Sequence, residues 1–387
     1  MLCASALTVF LFGIASSQVP SYWTMLLCRC FVGFGIGGLP QTVAILTEMM
    51  PIQRRAGAVL MTNVFWGIGS LLATALAVAV INTWGWRYYL LILSSPLIIF
   101  LIGSRWLPES PRYLLITKQM DKLNRLIERI AVVNGKEQPE KVGVEVFVSS
   151  RGRVLDLFTN KFRGTTILLF IMWFTAAFYT HGIGLLTTQM FQSHINGCHP
   201  HISGNATAIS KECRRLTNKD YIDLMITSAS EIPAQLIFLL LIDRLGRKLC
   251  LSIQYAVPFV SVIALSFCSS RGTIIALIFI IRGVAVSIFG TIYLYTAEVF
   301  PTNIRSVGLG CCSTIARIGS LTTPLVAQVL IHKSFYLVIG VYAVPLILSV
   351  ISSLLLRKET NKEPLEDSTA VILKATGDNY QTFESEK

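Results

Sequence analysis

The chain has 387 residues, of which 53% are hydrophobic and only 14% charged, whereas soluble domains carry about 25% charged residues. A mean hydropathy of +0.62 excludes an ordinary soluble domain. The formal net charge of +12 does not mark a nucleic-acid surface, because the Lys and Arg residues are partitioned into short stretches between long apolar runs.

From the N-terminus, ten apolar segments are long enough to span a bilayer: 1–17, 22–46, 57–80, 88–106, 165–187, 221–242, 249–269, 272–296, 306–331 and 335–356. Each approaches the roughly 20 residues that cross about 30 Å of hydrocarbon. Lipid offers no partner to a backbone N–H or C=O, so each segment is expected to be a helix. Residues 1–17 also resemble a signal peptide but lack its basic start, and a spanning helix is expected there instead. Placing the basic loops in the cytoplasm puts most of the Lys and Arg residues on one side, as the positive-inside bias requires.

The segments divide the chain into a partial four-helix N-terminal bundle (1–106), a cytoplasmic central loop (107–163), a six-helix C-terminal bundle (164–356) and a cytoplasmic tail (357–387). The central loop is rich in Lys, Arg and Glu, and an amphipathic helix is expected around Met120–Val133. The polar loop 188–220 carries the glycosylation acceptor Asn205-Ala206-Thr207 and two cysteines, Cys198 and Cys213. Placed outside the cytoplasm, it is expected to be glycosylated at Asn205 and to join Cys198 to Cys213. His194, Cys198, His199 and His201 share this loop, but their spacing fits no standard zinc pattern, so no metal is expected. The other seven cysteines lie in or beside apolar runs and read as small buried residues. The polar tail is expected to be disordered.

One pattern occurs twice. Glu48, Pro51 and Arg55 end one apolar segment, and Glu298, Pro301 and Arg305 end another; each copy follows a helix containing an arginine, Arg29 or Arg282. Matched helical halves are the mark of a transporter built by internal duplication. The second half also carries Asp243-Arg244-Leu245-Gly246-Arg247-Lys248 upstream of its copy. The corresponding place in the first half falls before Met1, so two N-terminal helices are expected to be absent from this chain.

No G-x-x-x-x-G-K-[ST] sequence is present, so energy for transport is expected from a gradient, and no cofactor is implied. Gly33–Gly38 fits G-x-G-x-x-G but follows no strand, and close helix packing explains it better. In the 243–248 stretch Gly246 permits a tight turn, and Asp243 can pair with a basic side chain across the bundle interface. Asp243, Arg244, Gly246 and Arg247, with the pairs Glu48–Arg55 and Glu298–Arg305, are therefore expected to form a conformational lock; pure topology signal is the plainer alternative. Charges inside spanning helices are the sharper site candidates because they are costly there. Glu231 lies beside Pro233, whose missing N–H loosens the helix, and Arg317 lies near Gly319 and Pro324. The plainer reading is structural pairing, for instance Glu231 with an arginine. Trp66, Trp173, Tyr179, Tyr293 and Tyr295 are candidate cavity aromatics, against helix packing or an interfacial belt. Glu231 and Asp223 are the protonatable candidates for coupling to an ion.

The 243–248 stretch resembles the cytoplasmic loop motif of the major facilitator superfamily, and Arg29 with Gly33, Gly35 and Gly37 resembles its fourth-helix motif. Pro108-Glu109-Ser110-Pro111-Arg112 is similar to its sugar and organic-ion branches, and Glu231-Ile232-Pro233-Ala234 to the organic-ion branch. Gly85-Trp86-Arg87, Arg151–Leu157 and Tyr295–Pro301 most resemble the synaptic-vesicle-related, SVOP-like members. The resemblance implies an all-α major facilitator fold: two bundles, helices three to twelve of the family, and a solute site between them that alternating access exposes to each side. It implies a transporter of a small organic ion, not an enzyme, in the plasma membrane or an intracellular vesicle membrane. Solute contacts are then expected from Glu231, Tyr293 and Arg317. In organic-ion relatives the Arg317 position is acidic in cation carriers and basic in anion carriers, which implies an anion. The alternative is a non-transporting or regulatory form lacking the first two helices.

Overall fold

A computed structural model describes residues 2–38, 42–43, 45–46, 49–81, 83–111, 114, 117, 119–135, 143–146, 152–192, 218–267, 270–361 and 371–374. Glu48, the side chain of Arg55, Asn205, Cys198, Cys213 and the histidines of the 188–220 loop lie outside the described residues.

The described helices are α1 (Leu2–Gln18), α2 (Tyr22–Ile36), α3 (Ile52–Ile81), α4 (Trp86–Ser94), α5 (Pro96–Gly103), α6 (Met120–Val133), α7 (Arg163–Gln192), α8 (Asn218–Ala229), α9 (Glu231–Leu245), α10 (Arg247–Ala264), α11 (Arg271–Val299), α12 (Thr302–Pro324) and α13 (Phe335–Leu355). Counting α4 with α5 and α8 with α9, seven spans among the described residues are long and apolar enough to cross a membrane. α1 and α2 are shorter apolar helices, and α12 carries Arg305 just before the ninth expected segment and Arg317 within it. The all-α architecture expected from the sequence is thus present. The amphipathic helix of the central loop is α6, over the residues expected for it. Beyond the helices, Gly143–Val146 of the central loop pairs antiparallel with Val371–Lys374 of the tail, in the register Gly143↔Lys374 to Val146↔Val371.

Three expected segments are jointed, and proline explains each joint. Pro96 opens α5 directly after α4 ends. Pro233 lacks the N–H that would bond the carbonyl of Ala229, and the joint between α8 and α9 falls there, at Ser230. Pro324 ends α12, and the chain continues in a wide π-turn over Leu325–Val329.

The C-terminal helices pack tightly around α7. Its polar aromatic groups are served by other helices: Trp173 Nε1 donates to Thr296 Oγ1 at 3.0 Å, and Tyr179 Oη donates to the Ile281 carbonyl at 3.0 Å. Tyr255 Oη of α10 donates to the Met172 carbonyl at 2.8 Å. α12 runs so close to α7 that a Cβ on Gly319 would lie 2.5 Å from the Phe174 carbonyl oxygen.

The first half meets the second chiefly through α3, which packs on α8, α9 and α11. Ala56, Val59 and Leu60 of α3 share one buried apolar cluster with Phe238, Ile242, Val284 and Leu294. Further along, a Cβ on Gly67 would touch Glu231 at 3.3 Å, and one on Gly290 would strike the Asn63 amide. Between these contacts the halves part and leave a cavity.

Candidate solute cavity between the helical halves

The cavity has a volume of about 400 Å3 and is walled by α2 and α3 on one side and by α7, α9, α11 and α12 on the other. That size suits a small organic molecule. Glu231, Tyr293 and Arg317 all line it, so the structure brings the three expected solute residues to one place. Trp66 and Trp173 line it too, whereas Tyr179 and Tyr295 do not: Tyr179 is spent inside the C-terminal core, and Tyr295 Oη donates to the Lys358 carbonyl at 2.8 Å. Packing therefore accounts for those two aromatics.

Glu231 opens α9 at the Pro233 joint and is 3% exposed. Arg282 of α11 meets it: Nε donates to Glu231 Oε1 at 3.0 Å. Close passage of the two helices is possible because residue 283 is glycine, where a Cβ would sit 2.8 Å from the Ser230 carbonyl oxygen. Ser70 of α3 donates to the same carboxylate oxygen at 3.2 Å, bringing a hydrogen bond from the opposite half of the molecule. A second contact crosses one turn away, Thr74 to Ser228 at 3.4 Å. Glu231 Oε2 is buried without a hydrogen-bond partner among the described residues.

Arg317 is different. It is exposed to the cavity from α12, and no ion pair to it occurs among the described residues. The Tyr293 hydroxyl lies within electrostatic reach of Arg317 and beside Ser313. The Tyr293 ring packs edge-on against Trp173, with centroids 4.4 Å apart, and Phe289 extends the same aromatic wall. The described lining holds two arginines and one carboxylate, and that carboxylate is already paired. The cavity can therefore accept a negative charge beside an aromatic face. Asp223 lies elsewhere, paired with Arg271 next to Asp220.

A second polar cluster sits where α9 turns into α10. Gly246 takes φ +85°, a conformation that favours glycine, and the turn delivers Arg247 into the protein, its side chain 3% exposed. Arg247 Nε reaches Glu298 Oε2 at 3.2 Å, Nη1 reaches Asp243 Oδ1 at 3.3 Å, and Nη1 also donates to Asn361 Oδ1. Asp243, Gly246, Arg247 and Glu298 thus meet at one turn, but Asp243 pairs with Arg247 one turn along and Glu298 also pairs with Arg247, all within the C-terminal half and not across the bundle interface. Arg305 is buried on α12, and Arg244 is exposed and outside this cluster.

Several residues that the sequence reading missed follow α13. Glu359 accepts from the backbone N–H groups of Arg247 at 2.8 Å and Lys248 at 3.1 Å, so its carboxylate caps the N-terminus of α10. Thr360 Oγ1 donates to Glu298 Oε2 at 2.6 Å. The start of the tail, read as disordered, is instead folded onto this turn.

Comparison with known proteins agrees with this architecture. Residues 1–371 match the model of the family described as sugar (and other) transporter. The chain is 39% identical over 362 residues to the synaptic vesicle 2-related protein of Rattus norvegicus, covering 92% of this chain and 66% of that protein. It is 30% identical over 363 residues to the SVOPL protein of Homo sapiens, covering 92% and 74%. The chain thus spans about two thirds of the length of the rat protein. Among solved structures, the major facilitator superfamily proton:xylose symporter XylE superposes with a TM-score of 0.66 at 17% identity, covering 94% of this chain and 81% of that one. That likeness shows the fold: a multi-pass major facilitator arrangement of helices.

Proposed function

Because the chain belongs to the sugar (and other) transporter family, not to a family of enzymes, we propose that it carries a small organic anion across a membrane by alternating access. The observation that carries the choice of an anion is Arg317: a cation facing the cavity with no carboxylate partner among the described residues, while Glu231 is occupied by Arg282. A charge kept at such a place is costly unless something pairs with it, and an anionic solute supplies the partner. Tyr293 lies beside it and adds an aromatic surface for the organic part.

Glu231 joins the solute site through Arg282 and Ser70. As the halves rock, the hydrogen bonds that cross between them, Ser70 to Glu231 and Thr74 to Ser228, are contacts that change. Asp243, Gly246, Arg247 and Glu298, with Glu359 and Thr360, act as a lock at the α9–α10 turn, away from the solute. By the repeat, Arg244, Arg305 and the pair Glu48 and Arg55 are assigned to the same lock. An ion or solute gradient drives the cycle. The names of the relatives favour a vesicle membrane over the plasma membrane.

Counterflow into proteoliposomes tests the proposal. With three probes of nearly equal size, the purified chain is expected to exchange benzoate and to leave benzamide and benzylamine outside. Exchange of benzylamine alone, or of none of the three, would refute the anion reading.

A further inference from the structure

We infer that His181 is a specificity-determining residue of the cavity, reading the polar end of the solute through Nε2. The inference rests on the organic-anion reading above and adds to it. His181 stands on α7, is exposed and lines the cavity. Its Nδ1 lies 2.9 Å from the carbonyl oxygen of Ala177, one turn earlier on the same helix. A carbonyl oxygen only accepts, so Nδ1 carries the hydrogen and the neutral ring has a bare lone pair on Nε2. Nothing among the described residues bonds to Nε2.

The surroundings fix what Nε2 can meet. The neighbouring Thr180 is held by the Ala285 carbonyl of α11 at 3.2 Å. α11 also brings Arg282, already paired with Glu231 of α9, and Tyr293; α12 brings Arg317. α13 packs on the side of α7 marked by Gly182, where it brings the buried Tyr342. The one carboxylate in the described lining is therefore engaged, and the open partner for Nε2 is the solute.

A neutral imidazole accepts a hydrogen bond there and suits a hydroxyl or amide donor. It turns a lone pair toward a carboxylate and repels it. The protonated ring reverses both properties: Nε2–H donates, and it adds a second positive charge facing the anion that Arg317 attracts. Proton uptake at Nε2 therefore turns the preference of the cavity toward anions, and acid is the side on which it occurs.

The test is equilibrium binding of radiolabelled benzoate, ionised throughout, to the purified chain between about pH 7.5 and pH 5.5. Wild-type binding is expected to tighten about tenfold toward the acid end, the worth of one charge-assisted hydrogen bond. His181→Gln and His181→Phe are expected to bind weakly at both ends, with no such change; two variants guard against one misfolding. Arg317→Ala is expected to lose binding at every pH. If both His181 variants keep the wild-type pH profile, the inference fails and the anion reading stands. If wild type binds no benzoate at any pH, or binding survives Arg317→Ala, the anion reading fails and takes the inference with it.

Discussion

Replacing Arg282 by alanine is expected to cost about 3–5 kcal/mol of stability, the usual penalty for stranding one member of a buried ion pair. Glu231, 3% exposed, would keep only the Ser70 hydrogen bond at 3.2 Å, with its second oxygen already unbonded among the described residues. Removing both charges should be far milder. Arg282→Ala combined with Glu231→Gln takes the uncompensated charge out of the protein, and most of the loss should return. Thermal unfolding of the four proteins in detergent, followed by tryptophan fluorescence, measures this cycle. Equal melting of the single and double variants would mean that the two side chains are not coupled, and the pair would lose its structural role.

The second large effect concerns activity, not stability. Arg317→Ala removes a charge that no described residue pairs with, so folding has little to lose. An anionic solute would lose its countercharge in the cavity. A hydrogen-bonded charge contact is worth about 1.5–3 kcal/mol, so benzoate exchange should fall by roughly tenfold to more than a hundredfold. The melting temperature should move little. Unchanged exchange with an intact fold would remove Arg317 from the solute site.

Much of this architecture was legible in the sequence because lipid imposes simple rules. The apolar runs mark the helices, and the costly charges inside them mark the cavity. Glu231 was visible both as a mid-span acid and as the neighbour of Pro233, which sets the α8–α9 joint. Its pairing with an arginine was the plainer reading, and Arg282 fills that role. Asp243, Gly246, Arg247 and Glu298 were visible because a duplicated motif and a glycine turn marked them.

What remained hidden lacked such a signal. Ser70 and His181 are single polar residues within apolar runs, and nothing in their spacing distinguishes a cavity position from a side chain bonded to its own helix. His181 in fact does both. Glu359, Thr360 and Asn361 were hidden because a polar stretch after the last helix has the composition of a loose tail. Only the fold shows that backbone N–H groups at the start of α10 await a carboxylate there. Tyr179 and Tyr295 misled for the converse reason: an aromatic hydroxyl in a span serves a neighbouring helix carbonyl as readily as a solute.

The most direct test of the anion-selective cavity is charge reversal at Arg317. Wild type and Arg317→Glu, reconstituted side by side, would be offered benzoate and benzylamine in counterflow. The structure predicts that wild type exchanges benzoate, and that the reversed variant loses it and gains benzylamine. A variant that keeps the wild-type preference would contradict the account, because the charge at residue 317 would then have no part in choosing the solute.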